Sequence, residues 1–269
     1  MKKILLLSSL LLFSCSLLSQ YSDKTDYIAE FSMEDGSTLK GHYFGEITHS
    51  SSVGAFVVSN RIASFQYTPL GEDKRKKLSA RDVKKIVYYN GDDVAKIQEK
   101  IQVKTVIKNG KLSSDTDEEF EYLLYDGKIK LYGSNVFFCE NMGCYYTHTN
   151  FYIKKDADPY AVLAVKPKGQ MSFKLGSSIE NTVDAFRAVG GKCPAFNDYL
   201  NFFDKTMIKE QQLDKKLQKD YQEIFKETMR ELAAKKASRR LFDEVAGRIQ
   251  SHQMEVFVGI IGEYEKACP

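Results

Sequence analysis

Cysteine is the residue type whose spacing in this chain most directly suggests chemistry. Five cysteines are present, and the first, Cys15, lies in an apolar N-terminal stretch. The four that remain, Cys139, Cys144, Cys193 and Cys268, are an even number, which in an oxidising compartment is typical of two disulfide bonds. Residues 137–146 predict a hairpin in which Cys139 and Cys144 face each other across a four-residue turn, a separation that a disulfide can bridge. By exclusion, we expect Cys193 to pair with Cys268.

Two other chemistries remain open for these cysteines. Cys139 and Cys144 could begin a zinc site with His148, although the spacing differs from a zinc knuckle and oxidation competes with metal binding. Cys193 precedes Pro194 at a predicted helix start, where the helix dipole activates a thiol. A partner cysteine near the C-terminus favours a structural bond for Cys193 instead.

The other residue types with catalytic or ligating chemistry are scattered. The histidines lie at positions 42, 49, 148 and 252, without the spacing of a metal motif. His42 and His49 could meet across a hairpin. The acidic residues Asp115, Asp117, Glu118 and Glu119 offer oxygen ligands for calcium but lack the glycine and glutamate of a calcium loop, which favours a solvated loop. Since no nucleophile elbow or phosphate-binding loop occurs either, the sequence predicts no catalytic, cofactor-binding or metal residues.

The N-terminus predicts export. Residues 1–3 are a short positive segment, and residues 4–18 form an apolar core that is too short to span a membrane comfortably. We expect cleavage after Ser19, and lipidation at Cys15 is the alternative. Cleavage is favoured because Phe13 fits a lipobox poorly and the apolar run continues past Cys15. No later segment has the length of a membrane span, so we expect a periplasmic, outer-membrane or extracellular protein, with or without a lipid anchor at Cys15.

Composition narrows the class of protein. The 269 residues are 43% hydrophobic and 28% charged, as in a globular protein of one or two domains. The 39 Lys and Arg residues nearly balance the 36 Asp and Glu residues, for a formal net charge of +3. A dedicated nucleic-acid binder needs a concentrated basic surface, so this composition argues against nucleic acid as a partner.

The hydrophobic period changes near residue 175. Residues 100–108 alternate, with Ile101 and Val103 on one face, and turn pairs such as Asp35-Gly36 and Asn90-Gly91 separate segments of this kind. The predicted strands are 28–33, 38–44, 55–60, 62–68, 85–89, 100–108, 128–132, 135–139, 145–153 and 161–165. After Gly176 the period is helical, and the predicted helices are 178–189, 194–203, 208–232, 241–249 and 254–264.

We therefore predict an α+β protein in three parts. Residues 1–19 are the signal peptide, residues 20–175 form an antiparallel sheet or partial barrel, and residues 176–269 form a helical domain. Aromatic residues are abundant, with 16 Tyr and 17 Phe but no Trp. In the pair Tyr88-Tyr89 a strand places one ring on each face of the sheet, so one ring belongs to the core. The other forms either a contact surface or a cross-strand packing contact.

Short motifs along the chain resemble a loosely defined group of uncharacterised exported proteins of Gram-negative bacteria. The matching segments, in order, are residues 35–41 (G-x-T-x-x-G), 78–91, 127–132 (G-x-x-x-L-Y), 151–153 (F-Y-I), 193–194 (C-P) and 264–268 (Y-x-x-x-C). Residues 204–250 look like an addition to that pattern. The resemblance implies an envelope location and a Cys193–Cys268 bond, and it implies no activity.

Taken together, the sequence favours a non-enzymatic binding or structural module for an envelope protein, a peptide or a glycan. The alternative is a secreted hydrolase acting on an envelope or dietary polymer, whose acid and base carboxylates the fold would have to bring together. A third possibility is a lipoprotein subunit of an assembly, anchored through Cys15. A deep cleft with two carboxylates would favour the hydrolase, whereas a shallow aromatic patch would favour binding.

Overall fold

The computed structural model describes residues 27–53, 56–107, 110–140, 143–165, 181–234 and 241–268. Within these ranges, only the backbone is described for residues 49–53, 56–60, 135–140, 143–149, 214 and 241–243. Strands occupy the chain from Ile28 to Leu163, and helices follow from Thr182. The predicted α+β class, with strands first and helices last, is therefore confirmed.

Ten strands of the described chain form one sheet. They are β1 (Ile28–Met33), β2 (Thr38–Val53), β3 (Phe56–Pro69), β4 (Lys76–Ser79), β5 (Val83–Asn90), β6 (Asp93–Thr105), β7 (Asp117–Tyr125), β8 (Lys130–Glu140), β9 (Gly143–Lys154) and β10 (Ala161–Leu163). Their spatial order is β10-β9-β8-β7-β6-β5-β1-β2-β3-β4. Neighbours in this order pair in antiparallel fashion, mostly through short hairpins, as the turn pairs predict.

A parallel pairing closes part of the sheet into a ring. β10 pairs with β9, and it also pairs with β6 through Ala161 opposite Val103, so that β6 to β10 form a closed circuit. Buried side chains from four of these strands, among them Ile101, Tyr132 and Tyr152, contact one another inside this ring. The predicted partial barrel is therefore present.

The first five strands surround a second core. Phe31 of β1 packs against Phe65 and Tyr67 of β3, with ring centroids 6.0 and 5.2 Å apart. Phe65 also meets Phe120 of β7 edge-on at 5.1 Å. Because β3 reaches β7 in this way, the N-terminal part of the sheet curls over the outer face of the ring.

The helices pack on the other side of the ring. They are α1 (Thr182–Gly190), α2 (Pro194–Phe203), α3 (Gln212–Ala234) and α4 (Leu241–Ala267), with a π-helical turn at Asp204–Lys209 between α2 and α3. Phe151 of β9 stacks on Phe257 of α4 at 4.6 Å, and Phe186 of α1 lies 6.3 Å from Phe257. β8, β9 and β10 thus share one apolar core with the helices.

One of the two expected disulfides lies within the described side chains. Cys193, which precedes α2, is bonded to Cys268 with 2.07 Å between the sulfur atoms and 6.1 Å between the Cα atoms. This is the pairing expected by exclusion. Cys139 and Cys144 stand directly opposite each other in the β8–β9 register. Their side chains lie outside those described, so the bond between them stays a prediction.

Several element boundaries differ from those predicted. The segments 55–60 and 62–68 form the single strand β3, the segments 128–132 and 135–139 form β8, and 241–249 and 254–264 form α4. The strand β7 was not predicted at all. Its acidic residues were expected in a loop. Two of them, Glu119 and Glu121, occupy positions of β7 that face the inside of the ring. Because these positions are not apolar, the sequence lacks the alternation that is typical of a strand. The predicted signal peptide and the predicted boundary at residue 175 lie outside the described residues.

Candidate ligand-binding site

The histidines do not form a site in the described part of the chain. His42 and His49 both lie on β2, so they do not face each other across a hairpin, which the sequence had left possible. His252 on α4 has its Nε2 atom 2.8 Å from Oδ2 of Asp220 on α3. The side chain of His148 lies outside those described, so the zinc alternative with Cys139 and Cys144 is not tested. Among the described residues, no three His, Cys, Asp or Glu side chains are placed to hold a metal ion.

Only part of the acidic segment at residues 115–119 lies on a strand, because β7 begins at Asp117. Asp117 pairs with Arg61 of β3 at 2.5 Å, and Glu118 accepts a hydrogen bond from Nε2 of Gln102 at 3.0 Å. Glu119 points to the opposite face from Glu118, as successive residues of a strand do. The expected loop is therefore wrong for Asp117, Glu118 and Glu119, which lie on β7, whereas the expected exposure holds for Asp115, Asp117 and Glu118. The Cys193 thiol, taken up in its disulfide, is not a free nucleophile.

Lys96 of β6 has the most distinctive surroundings among the described charged groups. Its side chain is half-buried, and its Nζ atom lies 4.5 Å from the ring centroid of Tyr88, 4.7 Å from that of Tyr122 and 5.2 Å from that of Tyr27. These distances are those of cation–π contacts, in which the ring faces attract the ammonium group. Two strands, β5 and β7, and the residue that precedes β1 therefore supply an aromatic enclosure for one lysine.

The hydrogen-bonding capacity of this ammonium group is largely unused. An ammonium group has three donors, and Lys96 Nζ donates one long bond of 3.3 Å, to Tyr122 Oη. Across the described side chains, Lys96 forms no ion pair with a carboxylate. Burial lowers the pKa of Lys96, and the nearby charge of Glu46 opposes that shift. The Lys96 ammonium group is thus partly removed from water and has few hydrogen-bond partners among the described residues.

Glu46 of β2, in contrast, is well bonded. Gln98 of β6 donates a hydrogen bond from Nε2 to Glu46 Oε1 at 3.1 Å, and Gln98 Oε1 accepts one from Tyr88 Oη at 2.6 Å. Tyr43 is also hydrogen-bonded to Glu46. Burial raises the pKa of the Glu46 carboxyl, while the bonds from Gln98 and Tyr43 and the charge of Lys96 oppose that change.

A β-bulge and the strand register bring these residues together. Tyr88 stands opposite Lys96 in the β5–β6 register, and Tyr122 stands opposite Gln98 in the β6–β7 register. On a regular strand, residues three apart such as Tyr43 and Glu46 point to opposite faces. The register of β2 shifts between Tyr43 and Gly45, where Gly45 has a φ of +126° that other residues rarely adopt. The bulge therefore turns both side chains to the same face.

We call this group the Lys96 site. It has a buried floor of Tyr88 and Gln98, 0% and 2% exposed, and its other members are half-buried. Its seven residues are Tyr27, Tyr43, Glu46, Tyr88, Lys96, Gln98 and Tyr122. A lysine among half-exposed aromatic rings, next to two buried residues, is an arrangement that can contact a ligand.

A second perturbed carboxyl group lies inside the ring. Glu121 is 4% exposed, and its carboxyl is hydrogen-bonded to Ser134 and Tyr152. Burial raises the pKa of Glu121 to about 8, and the negative charge of Glu119 adds to that increase. Burial also raises the pKa of Glu119. At neutral pH the Glu121 carboxyl is therefore mostly protonated.

The sequence singled out only one member of the Lys96 site. Tyr88 was expected to be either the core or the surface ring of the pair Tyr88-Tyr89, and it is the core ring. Tyr89 is half-buried, with Lys40 Nζ 4.6 Å above its ring. Lys96 and Gln98 occupy alternate positions of β6 that face aromatic rings. Polar residues at positions that face a core were the one sequence feature that could have indicated this site. It could be used only once the faces of β6 were known.

Comparisons with known proteins do not classify the chain: no protein-family model, curated protein or solved structure matches it. In a separate test of the described helices, none is both long and apolar enough to cross a membrane. The function is therefore inferred from the Lys96 site and from the sequence.

Proposed function

We propose that this protein is an exported, non-enzymatic binding module of the cell envelope that holds a protein, peptide or glycan at the Lys96 site. The observation that carries the proposal is the half-buried Lys96 ammonium, which three tyrosine rings enclose and which donates one long hydrogen bond among the described residues. Burying a charge without a partner costs free energy. Because Lys96 is only half-buried, an acceptor from a ligand can reach its remaining donors, and we infer that a ligand binds there.

The location is part of the proposal. The apolar segment at residues 4–18 supports a cleaved signal peptide, and the Cys193–Cys268 disulfide supports an oxidising compartment. Mass spectrometry of the N-terminus from the native host distinguishes a mature chain that begins at Gln20 from one that is lipidated at Cys15. Recovery of an unprocessed leader together with free thiols would contradict export.

The hydrolase alternative has weaker support. The two carboxyl groups with raised pKa that share a face of β7 are Glu119 and Glu121. Glu121 is only 4% exposed, so the scissile bond of a polymer could not reach its carboxyl group. The Lys96 site as defined holds a single carboxyl, Glu46, whereas glycoside hydrolysis uses a pair.

Affinity capture tests the binding proposal. The tagged mature protein, its Lys96→Met variant and its Lys84→Met variant are each incubated with envelope extract. Lys84 lies on the neighbouring strand β5 and is exposed, so its variant removes a positive charge without touching the site. We expect one defined component to be retained by the parent protein and by Lys84→Met, and to be lost with Lys96→Met. Equal retention by all three proteins, or retention of nothing, would overturn the proposal.

A further inference from the structure

We propose that the Lys96 site takes a carboxylate attached to an apolar group, as found at the C-terminus of a peptide that ends in an apolar residue. This inference rests on the proposed function and adds the chemical class of the ligand.

The first feature is the imbalance between the two charged groups of the site. Glu46 already accepts bonds from Gln98 and Tyr43, so it has little need of a donor from a ligand. Lys96 has two donors without an acceptor among the described residues. The unused donors of the site belong to Lys96, so a negatively charged acceptor gains most from them. Its repulsion by Glu46 is partly offset by the bonds that Gln98 and Tyr43 donate to that carboxylate.

The second feature is a pair of donors. Tyr122 Oη accepts the bond from Lys96 Nζ at 3.3 Å, and within the described structure its own proton is donated to no other group. Lys96 Nζ and Tyr122 Oη are thus neighbouring donors, one charged and one neutral. A carboxylate has two oxygen atoms that can each accept one of these bonds, and charge-assisted bonds of this kind are the stronger ones.

The third feature is the surface around the donors. Tyr88 meets Tyr43 edge-on at 4.9 Å and Tyr27 edge-on at 6.2 Å, so aromatic carbon surrounds the lysine. The polar atoms of the floor are engaged with one another through Gln98. A sugar would find few unbonded groups for its hydroxyls, whereas an apolar side chain needs only the rings. This favours a peptide end over a glycan.

The test uses three small probes in calorimetric titrations at neutral pH: N-acetylphenylalanine, its amide, and galacturonate. We expect saturable binding of N-acetylphenylalanine to the parent protein and to Lys84→Met. The amide, which lacks the charge, should bind about tenfold or more weakly, because a hydrogen bond to a charged group is lost. Lys96→Met should show the same loss for the acid, and Tyr122→Phe a smaller one.

Each other outcome overturns this inference. No binding of the acid, equal binding of acid and amide, tighter binding of galacturonate, or full binding by Lys96→Met would each do so. Circular dichroism of every variant verifies that the fold is kept. If envelope capture depends on Lys96 while N-acetylphenylalanine does not bind, the ligand class is wrong and the proposed function stands. If capture does not depend on Lys96, the proposed function itself fails.

Discussion

Glu265, near the end of α4, accepts a 2.9 Å hydrogen bond at its Oε1 atom from the backbone N–H of Lys128, in the turn between β7 and β8. The Lys128 Nζ atom in turn donates to the backbone carbonyl of Cys268 at 2.9 Å. Between the helix and the turn lies Gly127, and a Cβ atom built on it would be 2.4 Å from Glu265 Oε1. The last helix is therefore fixed to the ring by contacts that require a glycine.

Gly127→Ala is the first test of this contact. The new methyl group would overlap Glu265 Oε1 and the ring of Tyr125, each 2.4 Å away. We expect the free energy of unfolding to fall by about 1–3 kcal/mol, as for other overpacked positions. Gly247→Ala on α4 is the control, since no atom lies within 4 Å of its Cβ position and alanine favours a helix. Urea denaturation measures both, and an unchanged midpoint for Gly127→Ala would contradict the contact.

The Cys193–Cys268 bond closes a loop of 75 residues, so we expect it to contribute strongly to stability. The chain-entropy relation gives about 4.5 kcal/mol for a loop of this length. The Cys193→Ala/Cys268→Ala double variant should lose a large part of that free energy in urea denaturation. Reductant should destabilise the parent protein by at least that amount, because it also reduces the predicted Cys139–Cys144 bond. A double variant as stable as the parent protein would show that the bond has no such role.

Tyr88→Phe tests the floor of the Lys96 site. The hydroxyl of Tyr88 donates the 2.6 Å bond to Gln98 Oε1 in a buried place, so its removal leaves a buried acceptor without that donor. We expect a loss of about 1–3 kcal/mol in the free energy of unfolding. The matched control is Tyr89→Phe, one position along the strand, where the ring is half-buried and its contact with Lys40 is kept. Equal effects of the two substitutions would argue against the network.

Glu121 predicts a pH dependence of stability. Burial raises its pKa to about 8 in the folded protein, against about 4.3 for an unfolded glutamate. The folded state therefore binds the proton more tightly. The stabilisation is complete below pH about 4.3 and is lost as pH rises towards about 8, with a slope of at most about 1.4 kcal/mol per pH unit.

Glu121→Gln isolates this contribution, because glutamine does not titrate. Urea denaturation between pH 5 and pH 9 should show a flatter profile for this variant than for the parent protein. Glu118→Gln, at an exposed position near the start of the same strand, serves as the control and should keep the slope of the parent protein. If Glu121→Gln and the parent protein lose stability in parallel, Glu121 is not the group that titrates.

Local patterns predicted the elements where each strand has one clearly apolar face. Ile101 and Val103 of β6 alternate with polar neighbours and are buried as expected. β7 escaped prediction because Glu119 and Glu121 stand at inward positions. The parallel pairing of Ala161 with Val103 joins segments far apart in sequence, and no local period contains that information.

The Lys96 site could not be predicted from the sequence for a related reason. Its residues come from four strands and from Tyr27, the residue before β1, and Lys96 meets Tyr27 and Tyr122 only through the register of the sheet. Gly45, whose positive φ allows the bulge between Tyr43 and Glu46, carries no sequence mark of its own. Cysteine counting worked better, since exclusion alone identified Cys193 and Cys268 as partners.

The closure of the ring by β10 has a consequence for biogenesis. In a chain delivered from its N-terminus, β6 is available well before β10, so the edge of β6 at Val103–Thr105 stays open until Ala161–Leu163 arrive. Open edges are templates for pairing with foreign strands. During synthesis, and during the export proposed above, a chaperone can therefore bind this open edge until the short tenth strand is paired.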